Sequence, residues 1–107
     1  MTESEFEVLA GATLAALESA FEADAPDAEV QAKGEGLLEI EFTDGSRMII
    51  NRHAAAREIW VAAKSGGFHF RHDGRAWRDT RDGSELFAAV SKLASEQGGA
   101  LVVLSAG

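Results

Sequence analysis

The hydrophobic period of this chain changes twice, and that limits the folds open to it. Over residues 2–24 the side chains of Phe6, Leu9, Ala10, Thr13, Leu14, Leu17 and Phe21 recur at three- and four-residue steps, which gives a helix one buried stripe. Thr2 and Glu5 have the spacing of a capping box, and Pro26 within "DAPDAE" ends the helix. The period then falls to 2. "AEVQAK" (28–33) reads as a short strand, and "LLEIEF" (37–42) alternates with Leu38, Ile40 and Phe42 inward and Glu39 and Glu41 outward. Asp44–Gly45 predicts a two-residue hairpin turn into a strand over 46–52. Strands over 57–64 and 68–73 follow, turned by Gly66–Gly67, and Asp73–Gly74 turns into "AWRDT". "DGSELFAAVSKLASEQ" returns to helical periodicity, with Asp82 or Ser84 as its cap and Gly98–Gly99 as its end. The apolar tail "ALVVLS" is expected to pack against the helices.

Strands bounded by helices predict an α+β fold, a two-layer sandwich with both helices on one face of an antiparallel sheet. One sheet face would then be covered and the other open. The 107 residues are expected to form a single domain, 1–107, with one modest core. No apolar run reaches the roughly 20 residues that span a bilayer, and Glu3, Glu5 and Glu7 do not fit a signal or transit peptide. A cytoplasmic protein is therefore the expectation. With no cysteine, disulfides, thiolate metal sites and a cysteine nucleophile are excluded. No nucleophile elbow, phosphate-cradling loop or H-E-x-x-H stands in the sequence, so a non-enzymatic role is expected.

Charge is unevenly spread. Residues 1–46 carry twelve acids and one base, whereas residues 47–82 carry four acids and eight bases. The acidic half does not suit nucleic acid as a partner, because phosphate contacts need clustered Lys and Arg. Glu18 and Glu22 lie four apart beside the buried stripe, and Asp24, Asp27 and Glu29 continue the row toward the first strand. Like charges at that spacing oppose helix stability slightly. The row reads either as a solvated face or as oxygen ligands for hard cations such as Fe(II), Fe(III), Mn(II), Mg(II) or Ca(II), without the ordered spacing of a tight site.

A second candidate surface lies on the open sheet face. Strand parity puts Asn51 with His53, Glu58 with Trp60, and His69 with Arg71. Trp60 thus sits on the side expected to face water, among charged and small residues. It is either a protein-docking residue or a cross-strand stack that steadies the sheet. His69 and His72, three apart on a strand, face opposite sides and cannot chelate together; His53 and His69 can share the open face.

"INRHAAAREIWVAAKSGGFHF", together with "SEFEVLA", "FTDGSRMIINR" and "DGSELFAAV", closely resembles the bacterial members of the frataxin family over nearly the whole chain. The resemblance implies an iron-binding accessory protein of iron–sulfur cluster assembly that associates with the cysteine desulfurase and its scaffold protein. It would modulate that machinery, supply iron, or both. By position it assigns weakly bound iron (Fe2+/Fe3+) to Glu18, Glu22, Asp24, Asp27 and Glu29, and partner contact to Asn51, His53, Glu58, Trp60 and His69. It also implies a monomer and allows iron-dependent oligomers. This chain departs from the family pattern where Ser19, Ala23 and Gln31 interrupt the acidic run. His53–Ala54–Ala55 replaces Q-x-P, and Glu58 stands where glutamine is typical. Three alternatives remain: a purely protein-binding regulator with incidental iron, a ferroxidase, and haem binding through His53 or His69.

Overall fold

The computed structural model describes residues 1–105. Helix α1 (Glu3–Asp24) is followed by six strands: β1 (Glu29–Ala32), β2 (Leu37–Glu41), β3 (Arg47–His53), β4 (Glu58–Ala63), β5 (Gly66–His72) and β6 (Trp77–Asp79). Helix α2 (Leu86–Gly98) closes the order. The strands form one sheet in sequence order, every pair antiparallel. Both helices cover the same sheet face, as the double change of period predicts. Phe6, Leu17 and Phe21 of α1 and Leu86 and Val90 of α2 meet Ile40, Met48, Ile50, Ile59, Val61 and Phe70 of the sheet, all sealed from solvent. Each such side chain contributes roughly 1.5–3 kcal/mol through burial. No helix among the described residues is long and apolar enough to cross a membrane.

The capping box at the start of α1 is present: the Thr2 hydroxyl accepts from the Glu5 amide at 3.1 Å, and the Glu5 carboxylate accepts from the Thr2 amide at 2.8 Å. Three local expectations need correction. The cap of α2 is Glu85, whose carboxylate accepts from the amides of Phe87 and Ala88; Asp82 instead accepts from the Ser84 amide in the preceding turn. The β2–β3 connection spans residues 42–46; the Phe42 amide on the Ser46 carbonyl closes a three-residue loop, Thr43–Gly45, in which only Gly45 takes positive φ (84°). The β4–β5 turn is Lys64–Ser65, while Gly66 and Gly67 already pair with Ala63 and Ala62.

Polar ties fix the two layers. Arg52, inward-facing on β3, meets Glu7 of α1 at 2.8 Å and lies so close over Gly36 that a Cβ there would fall 2.5 Å from its Nε. Gln97 at the end of α2 accepts from the Lys64 amide and donates to the Arg47 carbonyl, joining two hairpins. Trp77, buried against Phe6, donates its indole N–H to the Thr13 hydroxyl at 2.9 Å. The tail is hydrogen-bonded along α2 and borders the end of α1, where Asp24 and Ala25 share a hollow with Leu101 and Val102. The Ser95 and Ser91 hydroxyls accept from the amides of Val102 and Leu104, and Leu104 enters the core while Leu101 and Val103 stay exposed.

Candidate functional site

The uncovered sheet face is organised in rows by the strand register. Asn51, Trp60 and His69 lie directly opposite one another across β3, β4 and β5, and His53, Glu58 and Arg71 form the next row. Side chains in adjacent rows are near enough to interact diagonally. The indole of Trp60 is stacked between two imidazoles: His53 at 3.8 Å between centroids and 11° between planes, and His69 at 4.4 Å and 8°. The cross-strand stacking expected as one reading of Trp60 is therefore present, on both of its faces. His53 and His69 do share the open face, as parity predicts. An indole separates them, so they cannot close on one metal ion together. His72 faces the other way, edge-on to Trp77 at 5.1 Å.

Glu58 departs from the expectation of a water-facing residue. It has the outward parity, yet is only 6% exposed. Its two oxygens are both engaged: Oε1 accepts from the Trp60 indole N–H at 2.9 Å, and Oε2 accepts from the Arg71 guanidinium at 2.7 Å. His69 Nδ1 lies 3.6 Å from Oε1. Burial pushes the Glu58 carboxyl up, but the indole and guanidinium hydrogen bonds, with the charges of Arg71 and His69, outweigh it and hold the group below its ordinary value. A buried carboxylate is tolerated only when paired and hydrogen-bonded in this way.

The acidic row has the opposite character. Glu22, Asp24, Asp27 and Glu29 are exposed and Glu18 is partly exposed. None of the five has an ion-pair partner among the described residues. Together they run from the last turns of α1 through the loop to β1. No group of three or more His, Asp or Glu side chains gathers closely enough to hold a metal ion among the described residues. The row is a field of separate carboxylates rather than a built chelate.

The register adds two acids that the linear reading did not assign to the row. Glu41 lies directly opposite Glu29, and Glu39 opposite Gln31. An open hollow at this corner is lined by Glu22, Glu29, Glu39 and Glu41. Like charges facing each other across strands oppose the pairing. Here Arg47 lies 3.6 Å from Glu39 and 3.8 Å from Glu41, and Lys33 lies 3.1 Å from Glu39. Alternation in "LLEIEF" marks both acids as outward, but only the pairing of β1 with β2 brings them beside Glu29. Arg71, the partner of Glu58, was legible as a neighbour of His69 but not as an anchor of the tryptophan.

A family model described as the frataxin-like domain matches residues 1–100. The chain is 53% identical over 104 residues to the iron–sulfur cluster assembly protein CyaY of Dechloromonas aromatica (strain RCB), covering 97% of this chain and 99% of the relative. It is 55% identical over 108 residues to the protein of the same name from Janthinobacterium sp. (strain Marseille), covering 97% and 96%. Among solved structures, the frataxin of Psychromonas ingrahamii, of the CyaY protein family, superposes with a TM-score of 0.88 at 28% identity, covering 98% of this chain and 99% of that one. Full-length identity above one half, the same helix–sheet–helix architecture and the family match agree: this chain belongs to the frataxin family.

Proposed function

We propose that this chain is an iron-binding accessory factor of iron–sulfur cluster assembly. In this reading it modulates the cysteine desulfurase and scaffold protein, supplies them with iron, and is not itself an enzyme. The observation that carries the reading is identity of 53% over nearly the whole length to a protein named for iron–sulfur cluster assembly. The separation of two unlike surfaces supports it. Carboxylates at the end of α1 and the start of β1 that have no ion-pair partners among the described residues suit a hydrated hard cation held by charge. The sheet face around Trp60 suits contact with protein. The chain has no cysteine, so the cluster itself would be built on the scaffold.

A second reading, a protein-binding regulator for which iron is incidental, is favoured by the lack of any gathered set of metal ligands among the described residues. Anaerobic cluster assembly with desulfurase, scaffold, cysteine and Fe(II), run with and without the chain, separates the two. An effect on the assembly rate that grows with Fe(II) occupancy of the chain is expected. The same effect on desulfurase turnover in metal-free buffer would favour the regulator, and no effect under either condition would contradict both.

A further inference from the structure

We propose that Glu58 is the positioning residue of the sheet face: its buried carboxylate fixes the Trp60 indole between His53 and His69, so that a partner meets the rim of three stacked rings and not an open aromatic face. The inference rests on the reading of Trp60 as a docking residue and adds how that residue is held and what it can recognise.

Trp60 has one hydrogen-bond donor and two π-faces. Glu58 Oε1 takes the donor at 2.9 Å, and the two imidazoles cover both faces at 3.8 and 4.4 Å. What remains for a partner is the edge of the indole, flanked by the edges of two imidazoles. That shape excludes recognition by stacking of a partner's ring or guanidinium on Trp60. It fits an apolar cleft that takes the indole edge and carries carbonyl or carboxylate acceptors for the imidazole N–H groups on either side.

Glu58 is itself too buried to meet a partner, so it acts through Trp60. Its other oxygen is held at 2.7 Å by Arg71, whose side chain is 65% exposed. The carboxylate therefore cannot turn away from the indole without abandoning a charge-assisted bond. A tryptophan already fixed in one orientation loses less side-chain freedom on binding, which favours affinity through preorganisation.

The test uses the whole chain carrying Trp77→Phe, so that Trp60 is the one remaining indole; Thr13 keeps its bond to the Leu9 carbonyl in this background. Near-UV circular dichroism then reports the asymmetry of the Trp60 environment without any partner, and titration with the desulfurase–scaffold complex reports docking. Glu58→Ala is expected to lose most of the near-UV signal while far-UV ellipticity is kept, and to weaken binding by about tenfold. Glu58→Gln keeps an acceptor for the indole N–H and is expected to retain the signal and to bind within about threefold of the parent.

An unchanged near-UV signal in Glu58→Ala would overturn the positioning role. A lost signal with unchanged binding, alongside weakened binding in Trp60→Ala, would overturn the link between positioning and docking. If Trp60→Ala binds as the parent does, the docking reading itself fails, and the near-UV result still tells the two failures apart.

Discussion

The acidic row and the tryptophan face are built on opposite plans. On the sheet face the central groups are engaged with one another: the indole N–H on Glu58, the second Glu58 oxygen on Arg71, and an imidazole over each face of Trp60. Along the row from Glu18 to Glu29, carboxylates stand in water without ion-pair partners among the described residues. The first surface is preorganised and can discriminate by shape. The second acts through its field, which attracts any hard cation or basic surface and weakens with salt. Selectivity is therefore expected on the sheet face, and speed and reach on the row.

The largest expected effect comes from removing the centre of the preorganised surface. Trp60→Ala should weaken desulfurase–scaffold binding by about 2 kcal/mol, roughly thirtyfold, mostly through faster dissociation. Surface plasmon resonance would resolve the rate, and a loss confined to association would mean that the sheet face, like the row, acts at long range. Next in size, the double charge reversal Glu22→Lys with Glu29→Lys should slow association by about tenfold at low ionic strength. That difference should shrink as salt shortens the Debye length to ~8 Å near 0.15 M. Stopped-flow mixing across a salt series checks it, and a salt-independent effect would mean that the row is read by contact.

Acid should dissolve the organised surface in a defined direction. Glu58 titrates below its ordinary value of 4.5 in the folded chain, so its contribution to stability is present above that value and is lost as pH falls through the folded pKa. The near-UV signal of Trp60 should fall in the same window, and Glu58→Gln should flatten that part of the acid profile. A smaller effect belongs to Asp73, whose carboxyl is held at about 2, against an ordinary 3.8, by the amides of Ala76 and Arg75 and by the neighbouring Arg78. Its contribution is lost between about pH 4 and pH 2. Asp73→Asn should remove that segment of the acid-unfolding curve and leave the Trp60 signal at neutral pH unchanged.

Most of the architecture was legible because periodicity is set by what each element buries. The stripe from Phe6 to Phe21 and the alternation in "LLEIEF" leave little freedom about which face turns inward. Parity also placed Asn51, His53, Trp60 and His69 correctly on the open face. It says nothing about depth, and for that reason the burial of Glu58 was missed. The partners that engage its carboxylate, Trp60 and Arg71, stand on two strands, and no single stretch of sequence contains them both. The α2 cap was misplaced for a local reason: Asp82 has the right chemistry but spends it on Ser84, leaving Glu85 to reach the first helical amides. Glu39 and Glu41 became neighbours of Glu29 only through the register of β1 on β2.

The most direct test of the two-surface account is an anaerobic Fe(II) titration of the isotope-labelled chain followed by backbone amide NMR, with desulfurase added afterwards. The account predicts paramagnetic broadening confined to residues 18–29 and their β2 neighbours, with Trp60, His53 and His69 unaffected until the protein partner is added. Broadening that begins at the imidazoles around Trp60, or that is spread evenly over the surface, would contradict it.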